Sequence, residues 1–247
     1  MRLQTYILNE GRSKSITEEE AIDLLTTKCK KSLKIFQKQS GYIFRGVDNN
    51  NDFLYINPNN FEDRKSRNTS NEYTEMFNYI LPSWKRYPKR SIICSTDYTY
   101  SRSFGYGNTF CVFPYDGANI AVCSHTDIWN SFVVNGIGVG LNDLNKKMRF
   151  LYMSKDFGTW LRSYTWDEYS ESDDEYVKLP YKIEEYWSEN TDKTFFEVLD
   201  FMLDPKRNGF EIVKSGDRLP KNREVWFHKE AILIEYTKTY HSFMEKI

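Results

Sequence analysis

Residues 90–124 read RSIICSTDYTYSRSFGYGNTFCVFPYDGANIAVCS. Three runs in this stretch, RSIICSTD (90–97), NTFCVFP (108–114) and ANIAVCS (118–124), have the length and the apolar, β-branched and aromatic content of strands. YDGA supplies Asp-Gly turn chemistry between the second and third. YTYSRSFGYG, between the first and second, suits a short helix closed by Gly105. Further strands are expected late in the chain, at NGFEIV (208–213), REVWF (223–227) and EAILIEYTKTY (230–240). Late strands must pair with earlier ones, which argues for one α+β domain over residues 1–247.

Helices should flank that sheet. Thr17 followed by Glu20 forms a capping signal, and Ala21, Leu24, Leu25, Leu33 and Phe36 then recur at helical spacing in a helix or helix pair ending near Gly41. GYIFRGV (41–47) reads as a short strand, and the Asn- and Asp-rich stretch from Val47 to Asn60 as a loop. A helix is expected around 71–80, stopped by Pro82, and an amphipathic one in TDKTFFEVLDFML (191–203), ended by Pro205. Leu141, Leu144, Met148 and Leu151 give residues 126–166 a helical or mixed character, while the acidic, aromatic stretch 167–192 reads as a solvated excursion. Residues 126–192 together thus form an excursion from the core.

Composition removes several classes of protein. The 247 residues carry 34 Lys plus Arg against 35 Asp plus Glu, so bulk positive field cannot drive binding. Basic charge is nevertheless concentrated at Arg64, Lys65, Arg67, Lys85, Arg86, Lys89 and Arg90, against only Glu72 and Glu75. The 64–90 stretch therefore suits either a polyanion or a solvated loop. With 18 Tyr, 17 Phe and 6 Trp, the chain is neither disordered nor fibrous. Cys29, Cys94, Cys111 and Cys123 form no CxxC pair, and the last three read as reduced core thiols. No apolar run approaches the roughly 20 residues of a membrane helix, and the first residues lack a signal-like apolar region, so a cytoplasmic protein is expected. His125, His228 and His241 show no metal-ligand spacing, and no metal is expected. Gly136, Gly138 and Gly140 lack the strand–turn–helix context of a dinucleotide fingerprint.

Polar residues interrupt three of the strands. Arg45 ends an apolar run before Gly46, Ser95 and Thr96 follow IIC, and Glu224 precedes Val-Trp-Phe. A dehydrated guanidinium needs an anionic partner. One reading pairs Arg45 with Glu224 or Asp97 to hold the sheet. The other gathers Arg45, the hydroxyls and Glu224 at a cleft, for phosphate, orientation and developing positive charge.

The ordered set FRG, then STD with SRSFG after it, a strand followed by DGA, and finally REVWF resembles ADP-ribosyltransferases of the arginine–serine–glutamate class, known from bacterial toxins and bacteriophage modifying enzymes. The resemblance spans about residues 16–236, with 126–192 poorly covered. It implies a split antiparallel β-sheet core with flanking helices, and mono-ADP-ribosyl transfer in which NAD is consumed as a substrate. It also implies that Glu224, Arg45 and Ser95 are catalytic, and that Arg45, Gly46, Ser95, Thr96, Tyr98 and Phe104 bind NAD. Tyr98, Phe104 and Tyr106 are the rings offered to nicotinamide. Family members often carry a second carboxylate two positions before the catalytic one; here that position is Asn222, which can orient an acceptor but cannot act as a general base. An arginine side chain is thereby disfavoured as acceptor. A rival alignment places the catalytic residue at Glu230, with His228 two positions before it; Glu224 is preferred for the β-rich VWF that follows it. The implied partners are a protein or nucleic-acid acceptor near 64–90 and an inhibitor or antitoxin protein, in the cytoplasm of a producing or infected bacterial cell. An NAD glycohydrolase on the same cleft, and an inactive nucleic-acid-binding relative, are the alternatives.

Overall fold

The helix expected after Thr17 forms as two, α1 (Glu18–Lys28) and α2 (Lys30–Gln37), in the computed structural model, which describes residues 13–38, 42–60, 73, 75–104, 107–138, 144, 157–171 and 178–247. Thr17 and Glu20 close a capping box: the threonine Oγ1 accepts from the Glu20 amide at 3.1 Å, and Glu20 Oε2 accepts from the Thr17 amide at 2.9 Å. Two of the free amides at the helix start are thereby satisfied, a contribution of about 1 kcal/mol. The break falls at Cys29, which is fully buried and donates its Sγ–H to the Phe113 carbonyl at 3.4 Å.

Nine strands among the described residues form one antiparallel sheet. They are β1 (Lys14–Ser15), β2 (Phe44–Val47), β3 (Phe53–Ile56), β4 (Ile92–Ser95), β5 (Asn108–Pro114), β6 (Asn119–Val122), β7 (Glu211–Lys214), β8 (Glu224–Phe227) and β9 (Ala231–Glu235), in the order β1-β3-β9-β5-β2-β4-β8-β6-β7. The class is therefore mixed helix and sheet, as expected. The Asp-Gly turn forms at Asp116–Gly117, where Gly117 has φ +80°, but β5 and β6 pair with β9 and β8 instead of with each other.

Pairing is uneven at the centre. β2 runs against β5 over four registered pairs and β4 against β8 over four, whereas β2 and β4 meet at one, Phe44 with Ser95. Successive side chains leave opposite faces, so residues in register share a face. One face carries Leu54, Leu233, Val112 and Phe110 on one side of that junction and Ile92, Val225, Phe227, Ile120 and Val122 on the other, all buried in one continuous core. Gly107 is needed where β5 begins, because a Cβ there would lie 2.4 Å from the Val47 carbonyl oxygen.

Several expectations are corrected. The presumed loop from Val47 to Asn60 contains β3, whose Phe53-Leu54-Tyr55-Ile56 pairs fully with β9. The last strand stops at Glu235, and Tyr236–Tyr240 is a helical turn because the Glu235 carboxylate accepts from the Thr237, Lys238 and Thr239 amides. The stretch 167–192 is not merely solvated. It contributes helices Trp166–Ser170 and Tyr181–Ser188, with Trp187 and Ile183 wholly buried and Tyr169 nearly so. Gly105, Tyr106, Leu141, Met148 and Leu151 lie outside the described residues.

The chain divides into two compact units. One comprises residues 1–68, 88–122 and 212–247 and holds nearly all of the sheet; the other comprises 69–87 and 123–211. The second unit is built on rings: Phe77 lies 4.3 Å from Trp84 and 5.8 Å from Phe132, and Trp187 stacks on Phe195 at 5.0 Å and on Tyr169 at 5.4 Å. Among the described residues no helix is long and apolar enough to cross a membrane.

Leu54→Ala should cost about 2–5 kcal/mol of unfolding free energy, measured by urea titration, because Leu54 is wholly buried between β1 and β9. A loop residue, as the sequence suggests for this position, would cost under about 0.5 kcal/mol.

Candidate functional site

Ser95 closes β4 in register with Glu224, the first residue of β8. The two therefore share a sheet face, and Phe44 of β2 shares it with them. Ser95 and Glu224 are both buried. Ser95 Oγ accepts from the Asp97 amide at 3.0 Å and faces the Arg223 carbonyl at 3.5 Å. Thr96 braces the same junction: its Oγ1 accepts from the Arg223 amide at 2.9 Å while its own amide donates to the Arg223 carbonyl at 2.9 Å. Asp97 caps the helix α3 (Tyr98–Phe104), accepting from the Tyr100 amide at 2.9 Å. That role accounts for an aspartate where the family resemblance expects a third hydroxyl, since both residue types cap helices well.

Arg45 follows Phe44 and so leaves β2 from the opposite face. It is buried, in register with Phe110, and its Nη1 donates to the Ile93 carbonyl of β4. Arg45 thus bridges the near-break between β2 and β4 through the backbone, and Gly46 beside it is partly exposed opposite Thr109. Neither carboxylate proposed for a sheet-holding Arg45 pair is what the guanidinium bonds at Ile93. Glu224 has a different ion partner: Arg90 Nη2 lies 2.6 Å from its Oε1, with both side chains about nine-tenths buried. Arg90 also lies over the Trp226 ring, 5.3 Å from its centroid. Arg90 is thereby removed from the basic face, of which Lys85, Arg86 and Lys89 are exposed and Arg64, Lys65 and Arg67 lie outside the described residues.

Rings gather on the face that carries Ser95. Phe44 meets Tyr98 at 5.7 Å and Tyr236 at 5.1 Å, and Tyr98 meets Tyr236 at 5.1 Å. Tyr98 and Tyr236 are only partly buried, so each keeps some ring surface open. Desolvation, with smaller contributions from Cys111, Tyr42 and Tyr98, pushes the Tyr236 phenol up, and it stays neutral. Tyr236 was not singled out in the sequence because the strand was expected to continue through it. The Phe104 side chain lies outside the described residues.

Asn222 is exposed and has φ +55°, the left-handed region that asparagine tolerates better than most residues. It stands two residues before Glu224, where the turn enters β8. Glu230, the rival candidate, lies after β8 and just before β9, its carbonyl accepting from the Tyr115 amide at 2.9 Å. It has no register with Ser95. His228, beyond the end of β8, shares a 2.6 Å hydrogen bond between its Nδ1 and Ser91 Oγ. No group of three or more His, Cys, Asp or Glu is placed to hold a metal among the described residues. Compared with protein families, curated proteins and solved structures, the chain shows no match.

Two outcomes follow from this geometry. Asn222→Gly should leave stability within about 0.5 kcal/mol of the parent, whereas Asn222→Val should cost about 1–3 kcal/mol by chemical denaturation, because a β-branched side chain strains the left-handed backbone. Partial burial and then Lys89 depress the His228 pKa below its ordinary 6.5, against an opposing pull from Glu230. The unfolded chain therefore binds the proton more readily, so this contribution to stability is present above the ordinary histidine range and lost as pH falls through the lower folded value. His228→Gln should flatten the fall in thermal midpoint between about pH 7 and 5; an unchanged slope would assign it to other groups.

Proposed function

We propose that the chain is a mono-ADP-ribosyltransferase with an ADP-ribosyltransferase-like split-sheet core, cleaving the nicotinamide–ribose bond of NAD and passing ADP-ribose to a macromolecular acceptor. One observation carries the reading. The strands bearing Arg45, Ser95 and Glu224 are consecutive in the sheet, with Ser95 and Glu224 in register, although the three residues are scattered over 180 positions of sequence. The near-break between β2 and β4 agrees with a sheet that opens where these strands meet.

NAD as a substrate supplies a bond whose cleavage leaves positive charge on the ribose as neutral nicotinamide departs. Glu224 would stabilise that charge and accept from the ribose 2′-hydroxyl, a group that matters more in the transition state than in the ground state. Arg45 would hold phosphate, for which its planar fork is better suited than lysine. Ser95 fixes the start of β8 through Arg223 and so places Glu224, with Thr96 as its brace. Tyr98 offers ring surface for stacking on the substrate, and Gly46 leaves room beside Arg45. Asn222 presents an amide to the acceptor, which favours acceptors that need no general base over an arginine side chain. Reaction in the cytoplasm of a bacterial cell and control by an inhibitor protein belong to the same proposal.

The test uses NAD labelled in its adenylate half, with cell lysate treated by protease or nuclease. Protease-sensitive label identifies a protein acceptor and nuclease-sensitive label a nucleic acid, whereas free ADP-ribose alone identifies a glycohydrolase. Salt-dependent nucleic-acid binding without nicotinamide release would instead mark an inactive binding module. Glu224→Gln should slow nicotinamide release by about 10²- to 10³-fold or more, while Glu230→Gln should leave it near the parent rate. The reverse pattern would overturn the site.

A further inference from the structure

We propose that Arg90 is the positioning residue of Glu224: it occupies Oε1 of the carboxylate and thereby leaves Oε2 as the oxygen presented to the ribose. The inference rests on the reading of Glu224 as the catalytic carboxylate and adds a residue that the arginine–serine–glutamate pattern does not contain.

The segment Pro88–Ser91 is fastened along β8 at successive points. Trp226 Nε1 donates to the Pro88 carbonyl at 2.8 Å, Arg90 Nη2 meets Glu224 Oε1 at 2.6 Å, and Ser91 Oγ pairs with His228 Nδ1 at 2.6 Å. Glu224 and Trp226 alternate with Val225 and so share one face, and Arg90 engages both, one by charge and one by its position over the ring. The guanidinium is thus held by the ring as well as by the carboxylate. On the other flank, Glu224 is in register with Ser95, whose strand is tied to Arg223 through Thr96.

A carboxylate on a single bond can rotate about its last torsion, presenting either oxygen or neither to a bound ribose. A charged hydrogen bond to one oxygen, from a donor that also packs over the Trp226 ring, restricts that rotation. A lysine could supply the charge, but its compact ammonium does not reproduce the planar placement over Trp226. An ion pair serving only stability would support the fold equally well whichever oxygen it used, and would change binding and turnover together or neither.

Steady-state nicotinamide release from NAD by the full chain separates these cases. Arg90→Lys, with an unchanged circular dichroism spectrum, should lower kcat about tenfold or more with KM for NAD within about threefold. Arg90→Gln should lower kcat about 100-fold, and adding it to Glu224→Gln should cost nothing further, because both changes remove the same oriented carboxylate. Where Arg90→Gln does not fold, Arg90→Lys, which keeps the charge, decides alone. Parent kcat in folded Arg90→Lys, or additive losses in the double variant, overturns the role of Arg90 while leaving the transferase reading intact if Glu224→Gln is inactive. Parent-like release by Glu224→Gln overturns the transferase site, and Arg90's role with it.

Discussion

The carboxylate of Glu224 is a charge nine-tenths buried at the start of a strand whose other three residues are buried too, and its placement needs a counter-ion. Removing one partner of such a buried pair typically costs about 3–5 kcal/mol. Arg90 answers that requirement, and doing so fixes the approach of Pro88–Ser91 to β8. The register of β4 on β8 follows directly, since β4 begins one residue after Ser91. Ser95 then arrives beside Glu224, and the chain turns at Asp97 into α3.

The near-break beside β4 has a related origin. β2 is fully engaged with β5 and β4 with β8, and the two pairs touch only at Phe44 and Ser95. Arg45 occupies the edge of that junction with a donor to the Ile93 carbonyl, in place of a continued ladder. A backbone acceptor that a neighbouring strand would ordinarily satisfy is served instead by a side chain whose guanidinium also suits an anion. The partly open rings of Tyr98 and Tyr236 lie on the face that carries Ser95 and Glu224, while Arg45 leaves the junction from the opposite face.

Much of this was legible from local sequence. The Thr17–Glu20 box and the apolar runs of β4, β5, β6 and β8 are short-range signals and form where expected. Arg45, Ser95 and Glu224 were legible only as interruptions: they fall on adjacent strands, with Arg45 on the opposite face from the other two. What escaped the sequence depends on distant contacts. FLYI becomes β3 because β9 and β1 flank it, though its Asn- and Asp-rich surroundings look like loop. YTKTY turns helical because Glu235 gathers three amides, a competition that β-propensity cannot weigh. The acidic 167–192 stretch conceals Trp187 and Tyr169, which stack on each other while the acidic residues Asp167, Glu168, Glu171, Glu185 and Glu189 around them are exposed. Arg90 looked like one basic residue among seven because its carboxylate lies 134 residues away.

The most direct measurement is a crystal structure of the chain with a non-hydrolysable NAD analogue. The account predicts the nicotinamide ribose within hydrogen-bonding distance of Glu224 Oε2, with Arg90 still on Oε1 and a phosphate on Arg45. An analogue bound elsewhere, or one that reaches Glu224 only after Arg90 has been displaced, would contradict it.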